Sequence, residues 1–174
     1  TSFPKRLSDA GLAAAPAKVY AQGLLVLWST KPNVQPAADL KLLLNNDIRA
    51  IAIANPKTAP YGAAAEAILK KYDLYNKVSS KLVTGESITQ TSQFIATQAA
   101  DIGFTAKSIV ISDEMKGKGN WVELNDEDYP AIKQAAVLLK YGYQNNAVES
   151  KKFYDFLFSA KAKAIYRKFG YIVK

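Results

Sequence analysis

Between residues 48 and 112 the apolar positions switch repeatedly between two periods. IRAIAIAN, 48–55, is a short, nearly unbroken apolar run, the pattern of a strand covered on both faces. From 60 to about 72, PYGAAAEAILKKY reads as a helix with almost no polar residue in its first turn, and its leading proline suits the first helical position, where the missing N–H has no intrahelical partner to lose. KLVTG, 81–85, reads as a strand, and SITQTSQFIATQA, 87–99, as a helix in which Ser87 and Gln90 have the spacing of a capping box. ADIGFTAKSIVIS adds another strand and a following segment. The succession strand, helix, strand, helix, strand predicts an α/β fold with a parallel or mixed sheet and helices on its faces.

The flanks are less regular. FPKRLSDAGLA, 3–13, predicts a short helix ending near Gly11, and VYAQGLLVLWS, 19–29, a buried strand. TKPNVQPAADLKLLLNN reads as a proline-punctuated loop feeding a short helix at 37–44. MKGKGNWVELNDEDYP, 115–130, reads as a surface connection and AIKQAAVLLKYG, 131–142, as a strand or extended crossing segment. The tail predicts two helices with a break at Ser159, with Phe153, Phe156 and Leu157, then Ala164 and Ile165, at helical spacing.

Composition narrows the chemistry. The 174 residues, 49% hydrophobic, suffice for a real core. With no cysteine and no histidine, thiol nucleophiles, disulfides, zinc–thiolate sites and the commonest general base are excluded. An enzyme is the least expected class, because no paired carboxylates stand at a helix start either. The formal charge of +8 favours anionic partners, yet the lysines are scattered and only Arg6, Arg49 and Arg167 supply guanidinium groups, which is not the clustering nucleic acid requires. No run approaches the roughly 20 apolar residues that span a bilayer, and the first residues lack the pattern of a signal peptide.

Two loops lead from a strand into a helix in the same manner, ANPKTAPYGAAA and TGESITQT. Helix starts carry unbonded N–H groups and a partial positive charge, and in an open α/β sheet they lie at the carboxyl ends of the strands, where ligands bind. Tyr61 and Gly62 at one start, and Ser87 and Ile88 at the other, are the candidate ligand-binding residues. Taken singly, Ser87 with Gln90 is an ordinary helix cap and Pro60 with Gly62 an ordinary turn. The acidic run NDEDY lacks the spacing of a calcium loop, and KGKGN lacks the order of a phosphate-binding loop. The aromatics of YGYQ and FYDFLF read as core or interface positions.

The long string IAIANPKTAPYGAAAEAILKKYDLYNKVSSKLVTGESITQTSQFIATQAADIGF resembles the second lobe of the periplasmic molybdate/tungstate-binding proteins of ABC importers, with SDAGLA, VYAQGLLVLWS, YPAIKQAAVLLK and FLFSAKAKAIYRKFGY matching on the flanks. The resemblance implies an α/β type II periplasmic-binding-protein fold, with one complete lobe, 30–132, and a second, incomplete lobe built from 1–29 and 133–174. The family's leading segment, whose A-A-A-S-L and S-S-G stretches hold the anion from the first lobe, is expected to be missing. It further implies capture of molybdate or tungstate between two lobes, or of another oxyanion such as sulfate, phosphate or phosphonate. A membrane permease would be the partner and the location periplasmic or extracytoplasmic. No cofactor and no nucleic acid are implied, and the metal enters only as an oxyanion. Its contacts fall on the backbone N–H groups of Tyr61 and Ile88, with the Tyr61 hydroxyl as a substitute donor, because Ala106 stands where some relatives have a tyrosine. A non-binding interaction module that self-associates through the incomplete lobe is the alternative from a different class.

Overall fold

The computed structural model describes residues 2–173, with the side chain of Ser2 left aside; Thr1 and Lys174, the ends of the two outer segments, lie outside the described residues. By internal contact the chain forms two compact units, one from the segments up to Gly23 and from Lys133 onward, the other Leu24–Ile132. The boundary therefore falls at Gly23 and Leu24, inside the apolar run expected to be one strand, rather than after residue 29.

The outer unit opens with helix α1 (Ser2–Asp9), which closes where the sequence predicts. Gly11 adopts φ 71°, its N–H donates to the Ser8 carbonyl (3.0 Å) and the Leu12 N–H to the Leu7 carbonyl (3.1 Å), the paired bonds of a glycine-terminated helix end. Strand β1 (Lys18–Gly23) pairs with a strand from the later segment of the chain, residues 132–136.

The central unit begins at β2 (Leu25–Ser29), followed by a 3₁₀ turn at Lys41–Leu44, where a helix over 37–44 is predicted. Then come β3 (Ile51–Ala54), α2 (Pro60–Lys71), α3 (Tyr75–Val78), β4 (Leu82–Gly85), α4 (Ile88–Ala96), β5 (Ile102–Ala106), α5 (Lys107–Val110) and β6 (Asn120–Glu123). The five strands form one mixed sheet in the order β4-β3-β5-β2-β6. β3 is parallel to β4 and β5, while β2 lies antiparallel to β5 and β6. Strand β6 corrects the surface connection predicted for 115–130: its residues alternate half-buried and exposed, as suits an edge strand, and Trp121 stands opposite Trp28.

Alternation along the strands divides the core. Leu25 and Leu27 of β2, with Ile51 and Ile53 of β3, face Ala64, Ala65, Ile68 and Leu69 of α2 on one side. Val26, Trp28 and Ala52 face Ile95 of α4 and Val110 of α5 on the other. Every residue of β2, β3 and β5 is buried, which explains why their sequences are mostly apolar, and the polar Ser29 and Thr105 among them are hydrogen-bonded. Each such buried aliphatic side chain contributes about 1.5–3 kcal/mol relative to exposure.

Asp101, in ADIGF, anchors this sheet. Its Oδ2 accepts the N–H groups of Arg49 (2.7 Å) and Ala50 (2.8 Å), which lead into β3, its Oδ1 pairs with the Lys31 ammonium, and its carbonyl accepts the Ser29 hydroxyl (2.6 Å). Burial pushes the carboxyl pKa up, but the bonds from Lys31, Ala50 and Arg49 outweigh it and hold the pKa below the ordinary aspartate value. The acidic run at 126–128 is a 3₁₀ turn in which Asp128 accepts from Lys71 Nζ (2.5 Å) and the Tyr72 hydroxyl (2.7 Å).

The chain returns through β7 (Ile132–Ala136), α6 (Lys140–Asn145), α7 (Ala147–Leu157) and α8 (Ala160–Lys168). The break at Ser159 is present, with its hydroxyl accepting the Ala162 N–H (3.1 Å) as the cap of α8. Residues 140–142, the end of the segment predicted as a strand or extended crossing, are instead the start of α6. Tyr141, Phe153 and Phe156 are exposed, so these aromatics are not core positions among the described residues. Tyr20, Tyr166 and Tyr171 instead form an aromatic chain, with ring centroids 5.2 and 6.4 Å apart.

Candidate functional site

Parallel strands β3 and β4 end together, with Ala54 opposite Gly85. The loops that follow therefore leave the sheet side by side, and the Asn55 N–H donates to the Gly85 carbonyl at 2.8 Å. The four sequence-derived candidates, Tyr61, Gly62, Ser87 and Ile88, stand at the helix starts that these two loops enter.

The first loop is folded onto Asn55. Its carbonyl accepts the N–H groups of Thr58 (3.2 Å) and Ala59 (2.8 Å), and its side-chain oxygen accepts the Lys57 N–H (3.1 Å). That curl delivers Pro60 as the first residue of α2 behind an extended Ala59, which has no side-chain oxygen to cap the helix. A Cβ at Gly62 would lie 2.1 Å from the Ala54 carbonyl oxygen, so glycine alone lets this turn sit directly on the end of β3. The Gly62 N–H finds no acceptor among the described residues. Tyr61 is buried, and its ring belongs to the hydrophobic core.

The second loop is shorter. Ser87 caps α4 as predicted, accepting the Gln90 N–H at 3.2 Å. The reciprocal bond is displaced by one residue from the expected box: Gln90 Oε1 accepts the Glu86 N–H (2.7 Å) rather than that of Ser87. The N–H groups of Ile88 and Thr89 have no acceptor among the described residues. Gly85 plays the part of Gly62 here, since a Cβ would lie 2.7 Å from Thr91 Oγ1 and 2.9 Å from the Thr91 nitrogen. Ser87 and Glu86 are exposed and Ile88 is half-buried.

Ala106 ends β5 beside these loops and is buried; as an alanine it offers no side-chain donor. What the two turns present is thus a pair of positive helix ends, each equivalent to about half a charge, with open backbone donors and no histidine, cysteine or paired carboxylate. Such a set can hold an anion by hydrogen bonds and offers no side chain for bond making. Asn55, Thr91 and Ser92, which shape the turns, are not singled out by sequence reasoning. The Asn-Pro pair before a helix is the only signal that points to Asn55.

A family model for bacterial extracellular solute-binding protein matches residues 1–172. The chain belongs to this family. Among individual solute-binding proteins, the molybdate-binding protein ModA of Rhodobacter capsulatus is 42% identical over 174 residues, covering 99% of this chain and 66% of that protein. ModA of Azotobacter vinelandii is 40% identical over 170 residues, 97% of this chain and again 66% of the relative. The solved periplasmic molybdate-binding protein of Azotobacter vinelandii superposes with a TM-score of 0.90 at 32% identity, over 99% of this chain and 75% of that one. The fold is therefore that of the periplasmic binding proteins, and the chain spans about two thirds of the length of the two curated relatives. Among the described residues, no helix is long and apolar enough to cross a membrane.

Proposed function

We propose that this chain takes part in capturing molybdate or tungstate in the periplasm for delivery to the permease of an ABC importer. The first turns of α2 and α4 supply the central unit's share of the anion contacts. The observation that carries this reading is the pair of helix starts at neighbouring strand ends, where the Gly62 and Ile88 N–H groups lack acceptors, in a chain 42% identical to a molybdate-binding protein. Tyr61 contributes its backbone N–H from the same turn as Gly62, and Ser87 holds the α4 start in shape.

A tetrahedral dianion suits such a site. Backbone donors and helix ends supply a favourable field without a lysine that would tolerate many anions. Because the backbone groups offered are all donors, an anion that keeps a proton, such as hydrogen phosphate, would bring an O–H that none of them accepts. Size then separates molybdate and tungstate from sulfate. Turnover of a substrate forms no part of this reading, and nothing in the relatives supports self-association.

Thermal unfolding with added oxyanion tests the proposal. A ligand that binds only the folded chain stabilises it by RT ln(1 + [L]/Kd), about 2.7 kcal/mol at a hundredfold excess over Kd. Molybdate and tungstate should raise the midpoint while sulfate and phosphate at equal ionic strength leave it in place. Equal shifts with all four, or none with molybdate, would overturn the proposal.

A further inference from the structure

Five polar or charged side chains are buried among the described residues: Ser29, Thr91, Ser92, Asp101 and Thr105. Ser29 and Asp101 belong to the anchor of β3, and the other three converge on the first turn of α4. Thr91 Oγ1 donates to the Ser87 carbonyl at 2.8 Å, and Ser92 Oγ donates to the Ile88 carbonyl at 2.7 Å. A hydroxyl carries one proton, so with that of Ser92 committed to Ile88, the 2.6 Å contact between Ser92 Oγ and Thr105 Oγ1 is donated by Thr105.

These bonds meet the open donors through single peptide units. The Ser87 carbonyl and the Ile88 N–H belong to one amide, and the Ile88 carbonyl and the Thr89 N–H to the next. A hydrogen bond accepted at a carbonyl polarises its amide and strengthens donation from the N–H on the other side, by perhaps 10–30% per bond. We infer that Thr91, Ser92 and Thr105 are positioning residues of the proposed oxyanion site, a buried hydroxyl relay that orients and strengthens the Ile88 and Thr89 N–H groups as anion donors. The inference rests on the function proposed above. It assigns three side chains that touch no ligand and gives a reason for hydroxyls on the buried face of α4. Thr91 also seats the turn, since Gly85 leaves just the space its hydroxyl occupies.

Serine and threonine in helices often bond the carbonyl four residues back without further purpose, so the test needs a readout that packing alone does not move. Thr91→Val keeps the shape and removes the hydroxyl, Thr91→Ser keeps the hydroxyl, and Ser92→Ala and Thr105→Val remove the other two. Amide proton shifts of Ile88 and Thr89 are measured in the free chain, and molybdate affinity by titration. Thr91→Val should move the Ile88 amide proton upfield and weaken binding roughly two- to fivefold, Ser92→Ala should do the same at Thr89, and Thr91→Ser should restore both readouts. Loss of stability with unchanged amide shifts and wild-type affinity would overturn the relay. Should the wild-type chain take up no oxyanion, the proposed function fails by itself. The free-chain amide shifts still decide the relay, and unchanged shifts in Thr91→Val and Ser92→Ala overturn it.

Discussion

Replacing Gly62 with alanine sets two effects of opposite sign against each other. In an ordinary helix interior the change stabilises, by about 0.5–1 kcal/mol, because alanine loses less backbone entropy on folding. At this position the new Cβ would lie 2.1 Å from the Ala54 carbonyl oxygen, 2.6 Å from its carbon and 2.9 Å from the Asn55 carbonyl carbon. The nearest contact is about 1.3 Å short of the 3.4 Å at which ordinary contact begins. The atoms met are backbone at the end of a fully buried strand, so they cannot swing away, and the first turn of α2 must retreat by about 1 Å. Crowding of this kind costs about 1–3 kcal/mol, which leaves a net loss of about 0–2.5 kcal/mol. The same retreat would stretch an N–H···O bond from about 2.9 Å to about 3.9 Å, beyond bonding distance. A bond to a charged acceptor contributes about 1.5–3 kcal/mol, so molybdate affinity should fall roughly 10- to 100-fold. Urea unfolding reads the first quantity and calorimetric titration the second. A Gly62→Ala chain that is more stable than wild type and binds molybdate equally well would refute the reasoning.

Further outcomes follow from the same geometry. Gly85→Ala should disturb the α4 start against Thr91 and weaken molybdate binding more than it lowers the unfolding midpoint, as titration beside thermal unfolding would show. Ser87→Ala removes the α4 cap and should cost about 1 kcal/mol in urea unfolding. Asp101→Ala leaves the Arg49 and Ala50 N–H groups and the Lys31 ammonium without their acceptor and should cost about 3 kcal/mol. Because the folded Asp101 pKa lies below its unfolded value, the stability it contributes is present above the ordinary carboxylate pKa of about 3.9 and lost as pH falls through the folded value. The gap between wild type and Asp101→Ala should accordingly be constant from neutral pH to about 5 and shrink below about 4. A gap independent of pH would remove Asp101 from the account.

The alternation of strands and helices from 48 to 111 was legible because the physical causes are local. β3 is buried on both faces and so carries an unbroken apolar run, β5 is mostly apolar for the same reason, and Pro60 and Ser87 mark helix starts by their own chemistry. The division at Gly23 was hidden, because β1 and β2 lie in one apolar stretch and only pairing with different sheets separates them. Strand β6 was hidden for the opposite reason. Its Asn-Trp-Val-Glu pattern sits among glycines and charges, and its place depends on pairing with β2, some 90 residues earlier in the chain. At the candidate site, Gly62 and the Ser87 cap could be read from the chain. The tight seats of Gly62 and Gly85 and the convergence of Thr91, Ser92 and Thr105 could not, since each depends on a partner brought in by the fold.

The central claim, that the first turns of α2 and α4 hold an oxyanion by their backbone, is tested most directly by amide-resolved magnetic resonance during addition of molybdate. Even weak uptake in the millimolar range moves the amide signals at the contact. The account predicts that Tyr61, Gly62, Ser87, Ile88 and Thr89 shift together along one binding curve while sulfate leaves them in place. Shifts confined to other surfaces, or the same small changes with every salt, would contradict it.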